Sequence, residues 1–547
     1  MATAAPVPPG ATAPPGTAPA DAGPPDAALM TPAQRKVGIL LCLVTIVLAV
    51  LDMNIVSAAT VPIVRDLDPV HGVDRLPWLI SAFALAATAL LPLYGRLCDS
   101  CGAKHVLLGA VAVFTLGSAL CGAAQSMDQL IAFRAVQGVG GGGLMSVTMV
   151  VIARFKEPGE GSNAKGSAMG GIVAGLGASI GPLIGALLTD HVSWRWIFYV
   201  NLPLCLLVLV GVALVIKLPK ATGRGGLDFL GSALAAIFAV GLLLVTEWGG
   251  KDYAWTSPVI LGLAAGTLAA FGLFLWRQAV AAAPVLPLSL FRIPVVRLGF
   301  AVQGLVGMGM IGAIVHVMLY LQLARGVAPT SASLYLIPMA AGMTASGLVA
   351  GRLLSRGRSM GSLLLAGAGC SALALLLLGL SGPTTPELAL MAELALLGCG
   401  LGQLIGQLLV VVQEAAPPHQ LGVATTGIRF FQNLGNALGA AVFGTVLVRV
   451  FADGEQGRPL GAVRTLTGAA REHAVRSFTE AVDVVFLSAG GVLVLVVLLV
   501  WRLWAVGGPA LRGGVGRDGG GSPDGSWAVE SVTGGAGERS VAGARAA

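Results

Sequence analysis

The sequence predicts an all-α polytopic membrane protein with fourteen crossings, and three observations predict it. Of 547 residues, 56% are hydrophobic and only 11% are charged, where soluble chains carry roughly 25% charge. The apolar residues gather into blocks of about 20, the length that spans a hydrocarbon core. The 78 glycines follow no strict repeat, which excludes a collagen-like chain, and they suit helices that approach closely in lipid. A soluble domain of this size needs far more surface charge, and a disordered chain is poor in Leu and Val.

Taken in order, residues 1–34 form a tail rich in Ala, Pro and Gly. It has neither the basic start nor the apolar run of a signal peptide, and it reads as disordered. Apolar blocks follow at 37–60, 76–94, 105–125, 129–153, 166–189 and 195–216, inside a first six-helix half at 35–220. Blocks at 228–247 and 257–277 lie in an inserted pair at 221–280. Those at 297–320, 332–353, 360–380, 388–414, 422–448 and 483–506 make a second six-helix half at 281–507. Residues 508–547 form a second tail, rich in Gly, Ser and Arg, that also reads as disordered. Barrel strands alternate apolar and polar over about 10 residues and cannot give such blocks.

The net charge of +7 is scattered over short loops, so no nucleic-acid partner is expected. Basic residues set orientation instead. With the N-terminus in the cytoplasm, the inner flank and loops hold 16 Lys and Arg, against 5 in the outer loops up to crossing 12. The outer loop 449–482 breaks the pattern with five arginines, late in the chain. An even number of crossings places both termini inside. The seven cysteines suggest no disulfide framework, and Cys98 and Cys101 lack the second ligand pair of a zinc site. No metal is expected.

The chain repeats internally. Leu130, Gly138, Gly140 and Gly142 of crossing 4 match Leu390, Gly398, Gly400 and Gly402 of crossing 12 at a spacing of 260. Crossing 5 opens G-S-A-M-G-G-I at Gly166 and crossing 13 opens G-V-A-T-T-G-I at Gly422, a spacing of 256. Crossings 1–6 then correspond to 9–14. Duplicated halves that rock about a midplane site are a common transporter architecture.

Charges inside the spans are few: Asp52, Arg134, Glu393 and Arg429. Each is expensive in lipid and should face a cavity or a partner. Asp52 lies about 15 residues into crossing 1, roughly 8 Å from the outer face; Arg134, entering from that face, lies roughly 7–8 Å deep. The matching depths predict that they meet directly or through water. A carboxylate that loses its cation or its water takes up a proton more readily, which is the chemistry of proton coupling. An ion pair that only orders the helices is the plainer reading. Glu393 reaches similar depth in the second half, one place off the Arg134 register. It is a second candidate for coupling or simply snorkels. Arg429 is expected as a gate or headgroup contact. Asn54, Gln137, Gln403, Gln407, Gln432 and Asn433 are candidate cavity-lining groups.

The turn Gly95-Arg96-Leu97-Cys98-Asp99-Ser100-Cys101-Gly102-Ala103-Lys104 resembles the signature loop of the major facilitator superfamily, G-x-x-x-D-R-x-G-R-K. Four further segments resemble its 14-helix drug:proton antiporter branch. They are Leu51–Val56 with Val61-Pro62, Arg134–Gly138 (R-x-x-Q-G), Gly177–Gly185 (G-x-x-x-G-P-x-x-G) and Trp194–Pro203 (W-R-W-I-F-x-I-N-x-P, with Val200 in place of Ile). The resemblance covers about 35–506 and implies the major facilitator fold. It also implies roles. Asp52 would couple proton and substrate, and Arg134 would assist proton transfer. Asp99 with Arg96 and Lys104, on a turn eased by Gly95 and Gly102, would form a cytoplasmic latch. Gly177, Gly181, Pro182 and Gly185 would bend and pack crossing 5, which favours exchange. The chain departs from the pattern at Ser100, Ala103, Asn54 and Ala186, and Ser355 stands where a second-half loop copy would carry Asp.

The expected function is proton-coupled export of amphipathic, cationic or polyaromatic drugs or antibiotics across the cytoplasmic membrane. The alternatives are a proton-coupled uptake symporter for a small solute and a sensor or assembly protein on a carrier scaffold. The expected partners are the substrate, protons and membrane lipids, with the chain a monomer. No phosphate-binding loop G-x-x-x-x-G-K-[ST] is present, so ATP is not the expected energy source. No cofactor, catalytic triad or enzymatic activity is expected.

Overall fold

Apolar blocks in lipid become helices because every backbone polar group must find its partner within the segment. The computed structural model describes residues 30–68, 72–155, 184–218 except 186 and 190, 226–327 except 227 and 251, 332–382, 385–454 and 468–507. Among them the chain is helical with no strand.

Crossing 1 is α1 (Pro32–Ala58), followed by the short α2 (Thr60–Leu67). Crossing 2 is α3 (Gly72–Ala89) and α4 (Leu91–Leu97), crossing 3 is α5 (Ala103–Ala123) and crossing 4 is α6 (Met127–Arg154). Crossing 6 is α7 (Trp196–Tyr199) with α8 (Asn201–Val215). The inserted pair is α9 (Phe229–Trp248) and α10 (Pro258–Val280). After a short α11 (Ser289–Arg292) the second half runs α12 (Pro294–Leu319), α13 (Ile337–Ser355), α14 (Met360–Leu378), α15 (Glu387–Ala415), α16 (Leu421–Gly454) and α17 (Gly468–Val506).

Twelve stretches among the described residues are long and apolar enough to cross a membrane. One of them, Trp78–Ala123, has 46 residues, about 69 Å of helix where about 30 Å suffices. It holds two crossings, and the packing shows the reversal. Gly138 and Gly142 of α6 lie against Phe83 and Ala87 of α3, so α3 runs parallel to α6. Gln137 and Gly140 of α6 lie against Gly117 and Phe114 of α5, so α5 runs antiparallel. The chain turns between them at Gly102, whose φ of 89° favours glycine. Crossing 5 lies almost wholly outside the described residues.

The second half repeats this register. Gly398 and Gly402 of α15 lie against Met339 and Met343 of α13, while Gly400 lies against Gly367 and Ser371 of α14. The matched glycines of the two halves therefore do one job: each lets a neighbouring backbone approach where a Cβ could not fit.

Helix ends depart from the expected ones. α1 begins at Pro32, inside the stretch assigned to the tail, because Thr31 and Gln34 form a capping box around a proline in the first turn. The outer loop expected at 449–482 is largely helical: α16 continues to Gly454 and α17 starts at Gly468. Hydropathy marks only the lipid-embedded part of a helix, and Arg471, Glu472, Arg476 and Glu480 lie in an extension too polar to register.

Replacing Gly140 or Gly400 by Ala should lower thermal stability by about 1–3 kcal/mol, since overpacking forces backbones apart. Gly369→Ala, where an added Cβ meets nothing within 4 Å, should be neutral. Thermal unfolding of the purified protein followed by size exclusion checks this; equal melting of all three variants would contradict the packing role.

Candidate functional site

Helix periodicity puts Arg134 and Gln137 of α6 one turn apart on the same face. That face meets α1, and there the two charges come together. Arg134 Nη1 donates to Asp52 Oδ2 at 2.9 Å. Asp52 is 0% and Arg134 2% exposed. Gln137 Nε2 and Asn201 Nδ2 both donate to Asp52 Oδ1, at 2.8 and 2.9 Å. Three donors on one carboxylate match its ionised, acceptor-only form.

The shell around the pair is closed. Arg134 also donates to Gln137 Oε1 at 2.8 Å and to the Leu79 carbonyl at 3.1 Å, and its guanidinium lies 4.4 Å from the Phe83 ring centre. Ser118 accepts from Gln137 and Asn201 and donates to the Phe198 carbonyl. The network ties α1, α3, α5, α6, α7 and α8 at one level. Asn201 and Ser118 were not singled out from sequence. Asn201 lies in the Trp194–Pro203 segment, and Ser118 is a polar residue in an apolar crossing. The same segment holds the nearby helix ends: Trp194 Nε1 and Arg195 Nη1 donate to Asp66, and Arg195 Nη2 to the Ala124 carbonyl.

A second constellation joins the halves at the opposite end of the bundle. Asp99 lies in the turn Cys98–Gly102 between two crossings. Its carboxylate accepts from the backbone N–H groups of Gly422 and Val423, at 2.8 and 3.0 Å. These are free donors at the start of α16, where the helix dipole favours an anion. Arg154, at the end of α6, lies 3.8 Å from Asp99 and donates to the Pro418 carbonyl. Burial pushes the Asp99 carboxyl up to about 6, against the two backbone donors, Arg154 and Arg96, which pull it down; at neutral pH it stays ionised. Gly95 lets α4 approach Val423 and Thr426 closely.

The latch partners differ from the expected set. Lys104 turns away and donates to the Ala213 carbonyl in the last turn of α8, at 2.9 Å. Arg96 acts on Asp99 only as a nearby charge. The geometry belongs to Arg154 and the α16 backbone, because a carboxylate facing a helix start finds two aligned donors there. Arg154 marked the end of crossing 4 in the sequence, and nothing in the spacing joined it to Asp99.

The remaining candidates are dispersed. Glu393 accepts from Ser381 in the second half and has no contact with the Asp52 network. Its register explains this: Leu394 takes the place that Arg134 holds in the first half, and one residue turns a helical side chain by about 100°. Gln403 packs against Gly367 of α14. Gln407 is fully buried, with neither amide atom bonded. Gln432 accepts from Arg429 at 3.0 Å, and Asn433 donates to Thr88 across the halves at 2.8 Å. Gly177, Gly181 and Pro182 lie outside the described residues, as does the side chain of Asn54; Gly185 is buried and accepts from Thr189. Among the described residues no cluster of His, Cys, Asp and Glu could hold a metal ion.

Comparison with known proteins gives a consistent picture. A family model described as Major Facilitator Superfamily matches residues 41–440. An uncharacterized MFS-type transporter of Mycobacterium tuberculosis, Rv1877, is 34% identical over 492 residues, covering 87% of this chain and 70% of that protein. The multidrug transporter protein MdtP of Bacillus subtilis is 31% identical over 73% of this chain and 72% of its own. Multidrug resistance protein 3 of the same organism is 31% identical over 78% and 82%. Among solved structures, the human organic anion transporter MFSD10 superposes with a TM-score of 0.57 at 16% identity, covering 86% of this chain and all of that one. The proton:xylose symporter XylE gives 0.54 at 13% identity, covering 86% and 96%. At these identities the structures speak for the fold alone.

Removing one partner of a buried pair strands the other charge. Asp52→Asn and Arg134→Gln should each destabilise the protein by about 3–5 kcal/mol, and the double variant should recover part of that loss. Thermal melts of the three variants measure it; additive losses would mean the pair is not coupled. Asp99→Ala should loosen the latch, read as faster thiol labelling of Cys98, which is buried in the latched turn.

Proposed function

The chain belongs to the major facilitator superfamily, and we propose that it is a proton-coupled exporter of amphipathic, cationic or polyaromatic compounds. As a member it is a multi-span membrane transporter of small molecules and not an enzyme, and several relatives are named multidrug or efflux pumps. Export, proton coupling and substrate class are our reading. The observation that carries it is the buried Asp52–Arg134 pair with its closed shell of donors.

Protonation of Asp52 would cancel the charge that Arg134, Gln137 and Asn201 converge on. Arg134 would then keep the Leu79 carbonyl, Gln137 and only a neutral acid oxygen as acceptors, and the shell would gain a donor while losing its anion. Such a site is stable in one protonation state and strained in the other, so a proton biases the first half between two packings. On this reading the proton enters from outside, and its release inward follows delivery of substrate. The Asp99 latch would hold the cytoplasmic side shut until then. The glycines and proline of crossing 5 would favour exchange over leak. The chain would lie in the cytoplasmic membrane with both termini inside, as a monomer in contact with lipid. Its parts would be the tails 1–34 and 508–547, the halves 35–220 and 281–507, and the inserted pair 221–280.

Inverted membrane vesicles test this. An inward-acidic gradient should drive accumulation of a lipophilic cationic dye such as ethidium, and Asp52→Asn should reduce the rate per folded molecule more than about tenfold, the loss expected for an essential proton-transfer group. If no dye accumulates, or if Asp52→Asn transports normally, the export reading fails. Proton-driven uptake into right-side-out vesicles would favour the symporter instead.

A further inference from the structure

Of the two charges inside the spans that the mechanism leaves unused, Glu393 is held by Ser381 and Arg429 stands apart. Arg429 lies eight residues into α16, about 12 Å from the latch end. It shares a face with Thr425, Gln432 and Asn436, at i−4, i+3 and i+7. The contacts of α16 fix where that face points. Thr425 accepts from Gln413 of α15, while Thr426 packs on Gly95 and Asn433 bonds Thr88 of the first half. Gly427 and Gly435 meet α12, and Phe430 and Leu434 pack on Ala239 of α9. Arg429 therefore looks into the bundle, between α15 and the first half, and away from lipid.

It is only partly buried there. One N–H donates to Gln432 Oε1 at 3.0 Å, and no other hydrogen bond or ion pair is formed with the described residues. A guanidinium has five N–H donors, so most of them are left unfilled by the described residues. In the same half, the amide oxygens of Asn436 and Gln303 are buried without a partner. The first half presents the opposite case: its carboxylate and its guanidinium neutralise each other behind a closed shell. Arg429 therefore offers a positive charge to the interior from the second half.

We propose that Arg429 heads a substrate subsite that takes a carboxylate of the transported amphipath. This deepens the exporter reading and rests on it for the word "transported". An intramembrane guanidinium without a counter-ion is costly, and a bidentate oxygen acid is the group its planar fork fits. Water fills the donors when the carrier is empty, and the substrate acid replaces it when loaded. The rest of the substrate, aromatic or cationic, is unconstrained by this contact.

The test uses two dyes that differ in one group. Rhodamine 110 carries a free carboxylate, and rhodamine 123 is its methyl ester. Binding to the purified chain in lipid nanodiscs is read by fluorescence anisotropy, with empty nanodiscs subtracted. Wild type should bind the acid about tenfold more tightly than the ester, the effect of one charge-assisted contact. Arg429→Gln should bring the two within about twofold by weakening the acid alone, and Arg429→Lys should keep part of the preference. No preference in wild type, or equal loss of both dyes in Arg429→Gln, overturns the subsite. The preference is a property of binding and needs no gradient. If it holds while no gradient moves either dye, the subsite stands and the exporter reading falls. If both dyes are exported equally, without preference in binding, the reverse is true.

Discussion

The first half of the molecule is organised around one ion pair in a place where an ion pair is expensive. Asp52 and Arg134 are buried to within 2% and lie 2.9 Å apart. Neither charge could stay in a bundle of this composition alone, since desolvation costs several kcal/mol per ion. Their neighbours therefore converge on the two charges: Arg134, Gln137 and Asn201 all donate to the carboxylate. Gln137 both donates to the carboxylate and accepts from the guanidinium. Asn201 reaches the same carboxylate from α8, and Ser118 steadies both amides from α5. Side chains and backbone carbonyls of six helices are gathered at that one contact.

Packing elsewhere is set by what the helices lack. With 78 glycines, backbones approach closely where a Cβ would collide, and dispersion contacts replace the hydrophobic effect that lipid cannot supply. The apolar cores are correspondingly separate. One cluster is built almost wholly from residues beyond Leu286, and two others lie within the first half. Contact across the seam is thin by comparison. Among the described residues it includes the Asp99 latch, the packing of Gly95 on Val423 and Thr426, the Asn433–Thr88 bond and a small cluster where Leu91 meets Phe430 and Leu434. Bodies that are tight inside and loosely joined move as units, and that is the mechanical requirement for rocking halves.

Much of this was legible in the sequence because the bilayer narrows the choices. Block length marked the apolar stretches, where twelve helical stretches long enough to cross are found among the described residues, and counting 1.5 Å per residue from each end brought Asp52 and Arg134 to one depth. The glycine match between Gly138 and Gly398 indicated a shared register, which the packing bears out. What escaped were contacts set by the turn of a helix or by a chain end. Depth alone could not say that Glu393 faces Ser381, because one residue of register rotates the side chain out of the Arg134 position. Nor could spacing join Asp99 to Arg154 and the start of α16, which are brought together only by the meeting of the halves. The polar beginning of α17 was missed because a helix outside lipid carries no apolar block.

The duplication explains the resulting asymmetry. Both halves kept the glycines, because losing one forces two backbones apart and the whole half suffers. Neither half was bound to keep the charges, because a membrane charge is retained only for what it does. Thus Leu394 fills in the second half the place of Arg134, and the guanidinium of that half stands on α16 instead. On the proposed reading this divides the work. The half whose charges are paired and sealed responds to the proton, whose small size lets it enter a closed shell. The half whose charge is open responds to the substrate, which cannot. A carrier built this way needs no direct competition at one carboxylate, since occupancy of either half changes the packing energy at the seam they share.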